Sequence, residues 1–177
     1  MKKRNIALIG FMGTGKTAIA GLLGEKLQKK VVEIDDLVEK RAGKTISQIF
    51  EERGEIRFRA LEAEAIKTIT EMDDVVISCG GGAMINRINA ERLKKNAIVI
   101  LLVASPGAIL ERTSRDDKRP LLNVADRLER IDHLLKEREP FYREIADYRI
   151  DTTGLDENAV VEKILTSLGK EDDEGNS

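Results

Sequence analysis

The sequence predicts an α/β protein in which a parallel sheet of five strands lies between two layers of helices. Short runs of apolar, largely β-branched residues alternate with longer segments whose apolar residues recur at helical spacing. The short runs are apolar at consecutive positions, which is typical of strands that helices cover on both faces. The predicted strands are 5–9, 31–34, 75–78, 98–103 and 148–150.

The segments between these strands carry the predicted helices. The pattern predicts one helix after the first strand, a second from about residue 37 with Asp36 as its N-cap, and a third over 55–71. Two more helices are predicted over 126–139, where Pro140 should interrupt or restart the helix, and over 157–168.

The remaining segments have no apolar period. Residues 113–123 are short, charged and broken by Pro120, and we interpret them as a surface flap or lid. Residues 170–177 are acidic and are expected to form a disordered tail. Because no linker divides the rest, residues 1–169 are predicted to form one domain.

Composition excludes several classes of partner. The 177 residues include 30 Lys and Arg against 32 Asp and Glu, so there is no basic field for nucleic acid or an anionic membrane. The single cysteine, Cys79, excludes an intramolecular disulfide and a zinc site with several cysteines. The longest apolar run, 97–104, is far shorter than the roughly 20 residues that span a bilayer. We expect a soluble, cytoplasmic monomer.

The strongest functional motif directly follows the first strand. Residues 10–17 read Gly-Phe-Met-Gly-Thr-Gly-Lys-Thr and fit the pattern G-x-x-x-x-G-K-[ST]. Glycines let such a loop curl until its backbone N–H groups point at one anion, and the next helix adds its positive N-terminal end. In this pattern Lys16 reaches the β- and γ-phosphates of a nucleotide, and the Thr17 hydroxyl holds Mg²⁺.

Acidic residues end the second predicted strand. Alternation along a strand would place Glu33 and Asp35 on the same side. In a phosphate-binding site one acid can hold Mg²⁺ through water while another orients or deprotonates an attacking hydroxyl. The alternative is that these acids solvate a loop or cap a helix, which is the role we assign mainly to Asp36.

Three glycines, Gly80, Gly81 and Gly82, follow the third strand. Consecutive glycines raise the entropic cost of folding and add no packing, so close approach to a ligand is the usual reason for them. Their backbone N–H groups are candidates for binding an anionic or hydroxylated substrate. The neighbouring Cys79 is interpreted as a small buried hydrophobe because no histidine lies nearby in sequence to activate it.

Isolated charged side chains are harder to interpret from sequence. Arg59 and Glu62 are three residues apart on a predicted helix, and the residues alone favour a surface ion pair. Arg138 is ambiguous by itself, and His133, the only histidine, is interpreted as a solvated surface residue.

Basic side chains concentrate around the predicted flap. An arginine on such a segment suits phosphoryl transfer, because it can close over the γ-phosphate and stabilise the developing charge. Composition does not choose among the candidates, which are Arg112, Arg115, Lys118 and Arg119.

Taken in order, these motifs resemble those of the shikimate kinase family. The resemblance runs from about residue 5 to 168, and although each later motif alone is weak, the ordered series is specific. The matching residues are 10–17, Asp35, Val38, Glu39, Gly43, 47–50, 54–55, Phe58, Arg59, Glu62, 80–82, 119–122, Arg138, Pro140 and Tyr142.

The resemblance implies a P-loop kinase that transfers the γ-phosphate of MgATP to the 3-hydroxyl of shikimate, on the route to chorismate and aromatic amino acids. It implies that Asp35 binds the substrate hydroxyls as orienter or base, and that Arg59 and Arg138 clamp the substrate carboxylate with help from the 80–82 backbone. Glu62 would then support Arg59. The implied ATP contacts are Gly13, Thr14, Gly15, Lys16, Thr17, Ala18, Arg112, Arg119 and Leu155.

The sequence departs from the family pattern at two places. The family usually has Asp-x-Asp after the second strand, whereas this chain has Glu33-Ile34-Asp35, so Glu33 takes the position of a Mg²⁺ carboxylate. The loop from Thr152 to Leu155 lacks the basic or amide side chain that often flanks adenine, which leaves Leu155 with an apolar contact.

Three other functions stay open at this stage. A gluconate or nucleotide kinase would share the architecture. A regulatory GTPase would share the phosphate loop, and Asp151-Thr152-Thr153-Gly154 fits the D-x-x-G pattern, but the chain has no N-K-x-D guanine motif. A nucleotide-binding protein without catalysis is the third.

Overall fold

The predicted fold class is confirmed in a computed structural model, which describes residues 5–114, 122 and 124–174, with side chains of the last helix described to residue 169. Five parallel strands form one sheet in the order β2-β3-β1-β4-β5. The strands are β1 (Asn5–Gly10), β2 (Lys30–Glu33), β3 (Val75–Ser78), β4 (Ala97–Val103) and β5 (Tyr148–Asp151).

Seven α-helices lie along the described chain, the last of them after β5, and a short 3-10 turn at Ala83–Ile85 follows β3. The helices are α1 (Lys16–Leu27), α2 (Ile34–Ala42), α3 (Ile46–Ile69), α4 (Arg87–Asn96), α5 (Pro106–Thr113), α6 (Arg127–Ile145) and α7 (Glu157–Glu174). Within the described residues no helix is both long and apolar enough to cross a membrane.

Alternation along β1 divides the core between the two faces of the sheet. Ala7 and Ile9 pack with residues of α2, α3, α4 and α6, whereas Ile6 and Leu8 pack with residues of α1 and α7. Both faces are therefore covered, which is why the strands are apolar at consecutive positions.

The second helix begins earlier than predicted. Helix α2 starts at Ile34, directly after β2, and Ile34 is fully buried. Its N-cap residue is Glu33, whose side chain makes no capping bond, so the prediction of Asp36 as N-cap is wrong. Asp35 and Asp36 instead lie in the first turn, where their carboxylates face the positive end of the helix. The expected strand alternation of Glu33 and Asp35 is therefore also wrong.

Three further helix boundaries differ from the prediction. Helix α3 begins at Ile46 rather than 55, but Gly54 (φ 70°, ψ 177°) breaks it, so the predicted helix corresponds to its second half. Helix α6 continues through Pro140 to Ile145 although proline lacks an N–H donor. Helix α7 continues past Leu168 to Glu174, so residues 170–174 of the predicted disordered tail lie in a helix.

Candidate active site

The phosphate loop joins β1 to α1 and ends at Gly15, the N-cap of α1. Gly15 has φ 91°, a left-handed conformation that favours glycine, and no side chain caps the helix. The first helical bond runs from the Ile19 N–H to the Gly15 carbonyl at 3.0 Å. The amides of Thr17 and Ala18 precede that bond in the first turn and have no intrahelical acceptor. The loop is therefore built to bind an anion at the start of α1.

Two side chains of the phosphate loop donate hydrogen bonds to the same acceptor, the backbone carbonyl of Phe11. The Thr14 hydroxyl donates to this carbonyl at 2.8 Å, and the Lys16 ammonium group also donates to it at 2.8 Å. Thr14 is buried, whereas Lys16 is half-buried. Lys16 thus lies across its own loop, where a nucleotide phosphate is the stronger, charged acceptor.

Oxygen donors suited to a divalent cation lie beside this loop. The Thr17 hydroxyl donates to Oε2 of Glu33 at 3.3 Å. Burial raises the pKa of Glu33, and hydrogen bonds from Ser78 and Thr17 oppose that shift. A hydroxyl beside a carboxylate is the kind of oxygen pair that binds Mg²⁺ together with water and phosphate.

A cleft of about 580 Å³ extends from Thr17 across the carboxyl ends of β2 and β3. Its walls bring together the residues that the resemblance assigned to substrate, and the rings of Phe50 and Phe58, which are in contact and tilted by 39°, form an apolar side. The polar residues that line it include Glu33, Asp35, Arg59, Glu62 and Arg138, with Gly80, Gly81 and Gly82.

Arg59 is held by carboxylates on both sides. Its Nη1 donates to Oε2 of Glu62 at 2.9 Å, and its Nε and Nη2 donate to Oε1 of Glu55 at 3.2 and 3.0 Å. Glu62 is 1% exposed, so the reading of a surface ion pair is wrong for this pair. The second half of α3 packs Glu62 inward beneath the cleft.

Burial and charge oppose each other in this ion pair. Burial raises the pKa of Glu62, while the Arg59 charge beside it works in the other direction. Burial is the largest single effect on Arg59 and lowers its pKa, but the charges and hydrogen bonds of Glu62 and Glu55 together outweigh it, so the pKa of Arg59 rises. Among the described residues Oε1 of Glu62 has no hydrogen-bond partner. Glu62 therefore depends on Arg59 to stay ionised in a buried place.

Arg138 enters the cleft from α6 on the opposite side. It is 4% exposed, its Nη1 donates to the Gly81 carbonyl at 3.2 Å, and its guanidinium carbon lies 5.5 Å from the centre of the Phe11 ring. The same carbonyl accepts a hydrogen bond from the Tyr142 hydroxyl. Sequence reasoning missed Phe11 and Tyr142 as site residues, although the i, i+4 spacing of Arg138 and Tyr142 was a signal that could have found Tyr142.

The three glycines leave room that side chains would fill. A Cβ at Gly82 would lie 2.4 to 2.7 Å from the guanidinium atoms of Arg59. At Gly80 it would lie 2.8 Å from Oε1 of Glu62 and 3.1 Å from Oδ1 of Asp35. The glycines therefore let charged side chains of the cleft approach the backbone closely. The close approach of a ligand to them stays a prediction.

Arg112 joins the phosphate loop to the segment after β5. Its guanidinium donates to the Gly13 carbonyl at 3.2 Å and to the hydroxyl and carbonyl of Thr152 at 3.0 and 2.8 Å. Leu155 is partly buried against the core on the α1 side of the sheet. Arg119, with most of the predicted flap, lies outside the described residues.

Two residues that were given no function remain outside the site chemistry. Cys79 is buried, and burial raises the pKa of its thiol, so it is the inert small hydrophobe that was predicted. His133 is exposed and lies 3.9 Å from Glu137, as expected of a surface residue.

This fold and this site define a P-loop phosphotransferase. A phosphate loop at the end of β1 opens into a cleft whose far walls carry two arginines and a carboxylate, Arg59, Arg138 and Asp35. In parallel α/β sheets ligands bind at this edge of the sheet.

Comparison with known proteins specifies the family. A sequence model of shikimate kinase matches residues 12–169. The shikimate kinase of Thermodesulfovibrio yellowstonii is 47% identical over 162 residues, covering 92% of this chain and 93% of the relative. That of Caldanaerobacter subterraneus subsp. tengcongensis is 44% identical over 167 residues, covering 94% of this chain and 97% of the relative. The chain therefore belongs to the shikimate kinase family and is an ATP-dependent kinase.

Solved structures agree with this assignment. A shikimate kinase from Acinetobacter baumannii in complex with shikimate gives a TM-score of 0.92 at 37% identity and covers 96% of this chain and 95% of its own. A gluconokinase from Sinorhizobium meliloti gives a TM-score of 0.62 at 15% identity, with coverage of 96% of this chain and 94% of its own, and shares the fold alone.

The contact between Gly82 and Arg59 yields a stability prediction. Gly82→Ala is expected to displace the Arg59 guanidinium and to lower the free energy of unfolding by about 1–3 kcal/mol, because the buried Glu62 loses its partner. Urea unfolding at pH 7 measures this change, with Gly107→Ala as the control because nothing lies within 4 Å of a Cβ there. In a Glu62→Gln background, Gly82→Ala should lower the free energy of unfolding by a smaller amount. An equal loss of unfolding free energy in both backgrounds would contradict the explanation that Gly82→Ala acts by separating Arg59 from Glu62.

Proposed function

We propose that the protein transfers the γ-phosphate of MgATP to the 3-hydroxyl of shikimate, giving shikimate 3-phosphate and ADP. The observation that carries the proposal is the convergence of Arg59, Arg138 and Asp35 on one cleft that begins at Thr17 of the phosphate loop. Two guanidinium groups suit a carboxylate, and a nearby carboxylate suits hydroxyls. The cleft is thus chemically matched to a small carboxylated alcohol placed next to a nucleotide.

The acceptor side of the mechanism uses residues of α2, α3 and α6. Arg59 and Arg138 bind the substrate carboxylate from opposite walls and turn the ring so that its 3-hydroxyl faces the phosphate loop. Asp35 accepts a hydrogen bond from this hydroxyl and takes its proton as the oxygen attacks. Holding the two reactants in line supplies much of the rate enhancement in phosphoryl transfer.

The donor side uses the phosphate loop. Lys16 leaves the Phe11 carbonyl and binds the β- and γ-phosphates, while the amides at the start of α1 bind the remaining phosphate oxygens. The bond that forms joins the 3-oxygen to the γ-phosphorus, and the bond that breaks joins the γ-phosphorus to the β,γ-bridging oxygen, which leaves with ADP. Lys16 stabilises the negative charge on that leaving oxygen.

Thr17 and Glu33 are the residues that would hold Mg²⁺. The contact of their oxygens at 3.3 Å supports this role, and the longer side chain of Glu33 retains the carboxylate that the family usually supplies from aspartate. When bound, Mg²⁺ neutralises charge on the β- and γ-phosphates.

We also propose roles for the remaining residues that the family resemblance assigns to the nucleotide. Arg112 flanks the nucleotide, as its bonds to Gly13 and Thr152 support, and Leu155 offers adenine an apolar contact. Arg119 is proposed to reach the phosphates. Residues 1–169 are proposed to act as one domain because a single sheet joins strands from residue 5 to residue 151. We also propose that the protein is a cytoplasmic monomer.

A substrate panel tests the proposed function. ADP release should be fast with ATP and shikimate and at least about tenfold slower with gluconate, nucleoside monophosphates or no acceptor, because only shikimate offers the carboxylate clamp and a hydroxyl in line. Phosphorus NMR should show one product, the 3-phosphate. Equal turnover of gluconate, or a preference for GTP without an acceptor, would overturn the assignment.

Arg59→Lys tests the carboxylate clamp. The substitution keeps the charge but loses the planar fork, so we expect the KM for shikimate to rise by about tenfold or more while the KM for ATP changes little. Arg57→Lys is the matched control, since Arg57 is exposed on the same helix two residues away. The assignment fails if Arg59→Lys leaves the KM for shikimate unchanged.

A further inference from the structure

Tyr142 makes a buried contact with the substrate side of the cleft that the proposed mechanism does not use. Its hydroxyl donates a hydrogen bond to the Gly81 carbonyl, and the residue is 3% exposed. We propose that Tyr142 is a positioning residue for the carboxylate clamp: it directs the Arg138 guanidinium through the Gly81 carbonyl that both side chains bind and through the contact between the two side chains. This inference rests on the proposed function, because the clamp matters only for a carboxylated substrate.

Helix α6 brings the two donors to the same acceptor. Arg138 and Tyr142 are four residues apart in α6, so their side chains lie on one face of the helix, one turn apart. Both are buried, and both donate to the carbonyl of Gly81. A carbonyl oxygen has two lone pairs, so these two bonds saturate it.

The same two bonds orient the glycine backbone. Cis peptide bonds are absent from the described chain, and in a trans peptide unit the carbonyl and the following N–H point in opposite directions. With the Gly81 carbonyl turned to α6, the N–H of Gly82 is directed away from α6. Gly82 is also the residue on which the Arg59 guanidinium lies, so both walls of the clamp meet at this peptide unit.

Besides the Gly81 carbonyl, Arg138 contacts the side chain of Tyr142 itself, and this hydrogen bond opposes the rise in the pKa of Tyr142. The Nε of Arg138 is buried without a hydrogen-bond partner among the described residues, and its contact with the Phe11 ring is a stacking contact at 5.5 Å. Stacking holds the guanidinium over the ring but leaves rotation within its plane free. The bond to Gly81 and the contact with the Tyr142 hydroxyl restrict that rotation.

The Tyr142 hydroxyl is a donor throughout the working range of pH. Burial is the main cause that raises its pKa to about 12, so the proton stays on the oxygen. Phenylalanine at this position would keep the ring and its packing and would remove only the donor. Tyr142→Phe therefore removes the contacts of the hydroxyl with Gly81 and with Arg138 and keeps the packing of the ring.

The experiment compares the two tyrosines of the chain by steady-state kinetics and thermal unfolding. Tyr142→Phe should raise the KM for shikimate by about tenfold, because a misdirected Arg138 loses part of its bond to the carboxylate, and should leave the KM for ATP within about twofold. Tyr148→Phe is the control. Tyr148 packs against the core on the other face of the sheet, and its substitution should change neither KM.

A double-mutant cycle with Arg138→Lys tests whether the effect passes through Arg138. If Tyr142 acts by directing the guanidinium, Tyr142→Phe should raise the KM for shikimate by less than about twofold once Arg138 is replaced. A purely structural role would instead give the same increase in both backgrounds.

The possible results of these experiments separate failure of the inference about Tyr142 from failure of the proposed function. An unchanged KM for shikimate in Tyr142→Phe, equal increases in both KM values, or an undiminished effect in the Arg138→Lys background would overturn the inference while the proposed function stands. If the unaltered protein itself does not phosphorylate shikimate, the proposed function fails and the inference fails with it.

Discussion

The parallel pairing of β1 with β3 is the constraint on which the site depends. The register pairs Leu8 with Ser78, and the Cys79 N–H continues the ladder to the Leu8 carbonyl at 3.0 Å. The phosphate loop after β1 and the glycine segment after β3 therefore leave the sheet side by side, and a Cβ at Gly81 would lie only 3.2 Å from the Met12 nitrogen. Donor and acceptor sites are adjacent because the two strands are adjacent.

The charged side chains of the cleft lie around the place where the phosphate loop and the glycine segment meet. Arg59 is paired with a buried carboxylate, whereas Arg138 is held by a backbone carbonyl and an aromatic face. Arg59 is therefore neutralised by two carboxylates, Glu62 and Glu55. The charge of Arg138 also acts on Glu62, whose pKa it helps to lower. An incoming carboxylate would gain charge-assisted hydrogen bonds from both guanidinium groups, which gives the site a physical reason to bind acidic substrates.

Sequence reasoning predicted the sheet, the phosphate loop and the glycine segment because each is local: apolar runs, a fixed motif and three adjacent glycines. The position of Asp35 was predicted for the wrong reason, since the chain turns into α2 at Ile34 and not after Asp36. Burial of Glu62 could not be predicted, because a pair three residues apart on a helix looks the same on either face. The contact of Tyr142 with Gly81 joins residues 61 positions apart, and only the tertiary structure brings them together.

The central claim is that one cleft beside the phosphate loop holds the acceptor by its carboxylate. A crystal structure of the protein with shikimate and ADP tests this most directly. The account predicts the shikimate carboxylate between the guanidinium groups of Arg59 and Arg138, and the 3-hydroxyl within hydrogen-bond distance of Asp35. A shikimate carboxylate bound away from both arginines, or a 3-hydroxyl turned away from Asp35 and the phosphate loop, would contradict the account.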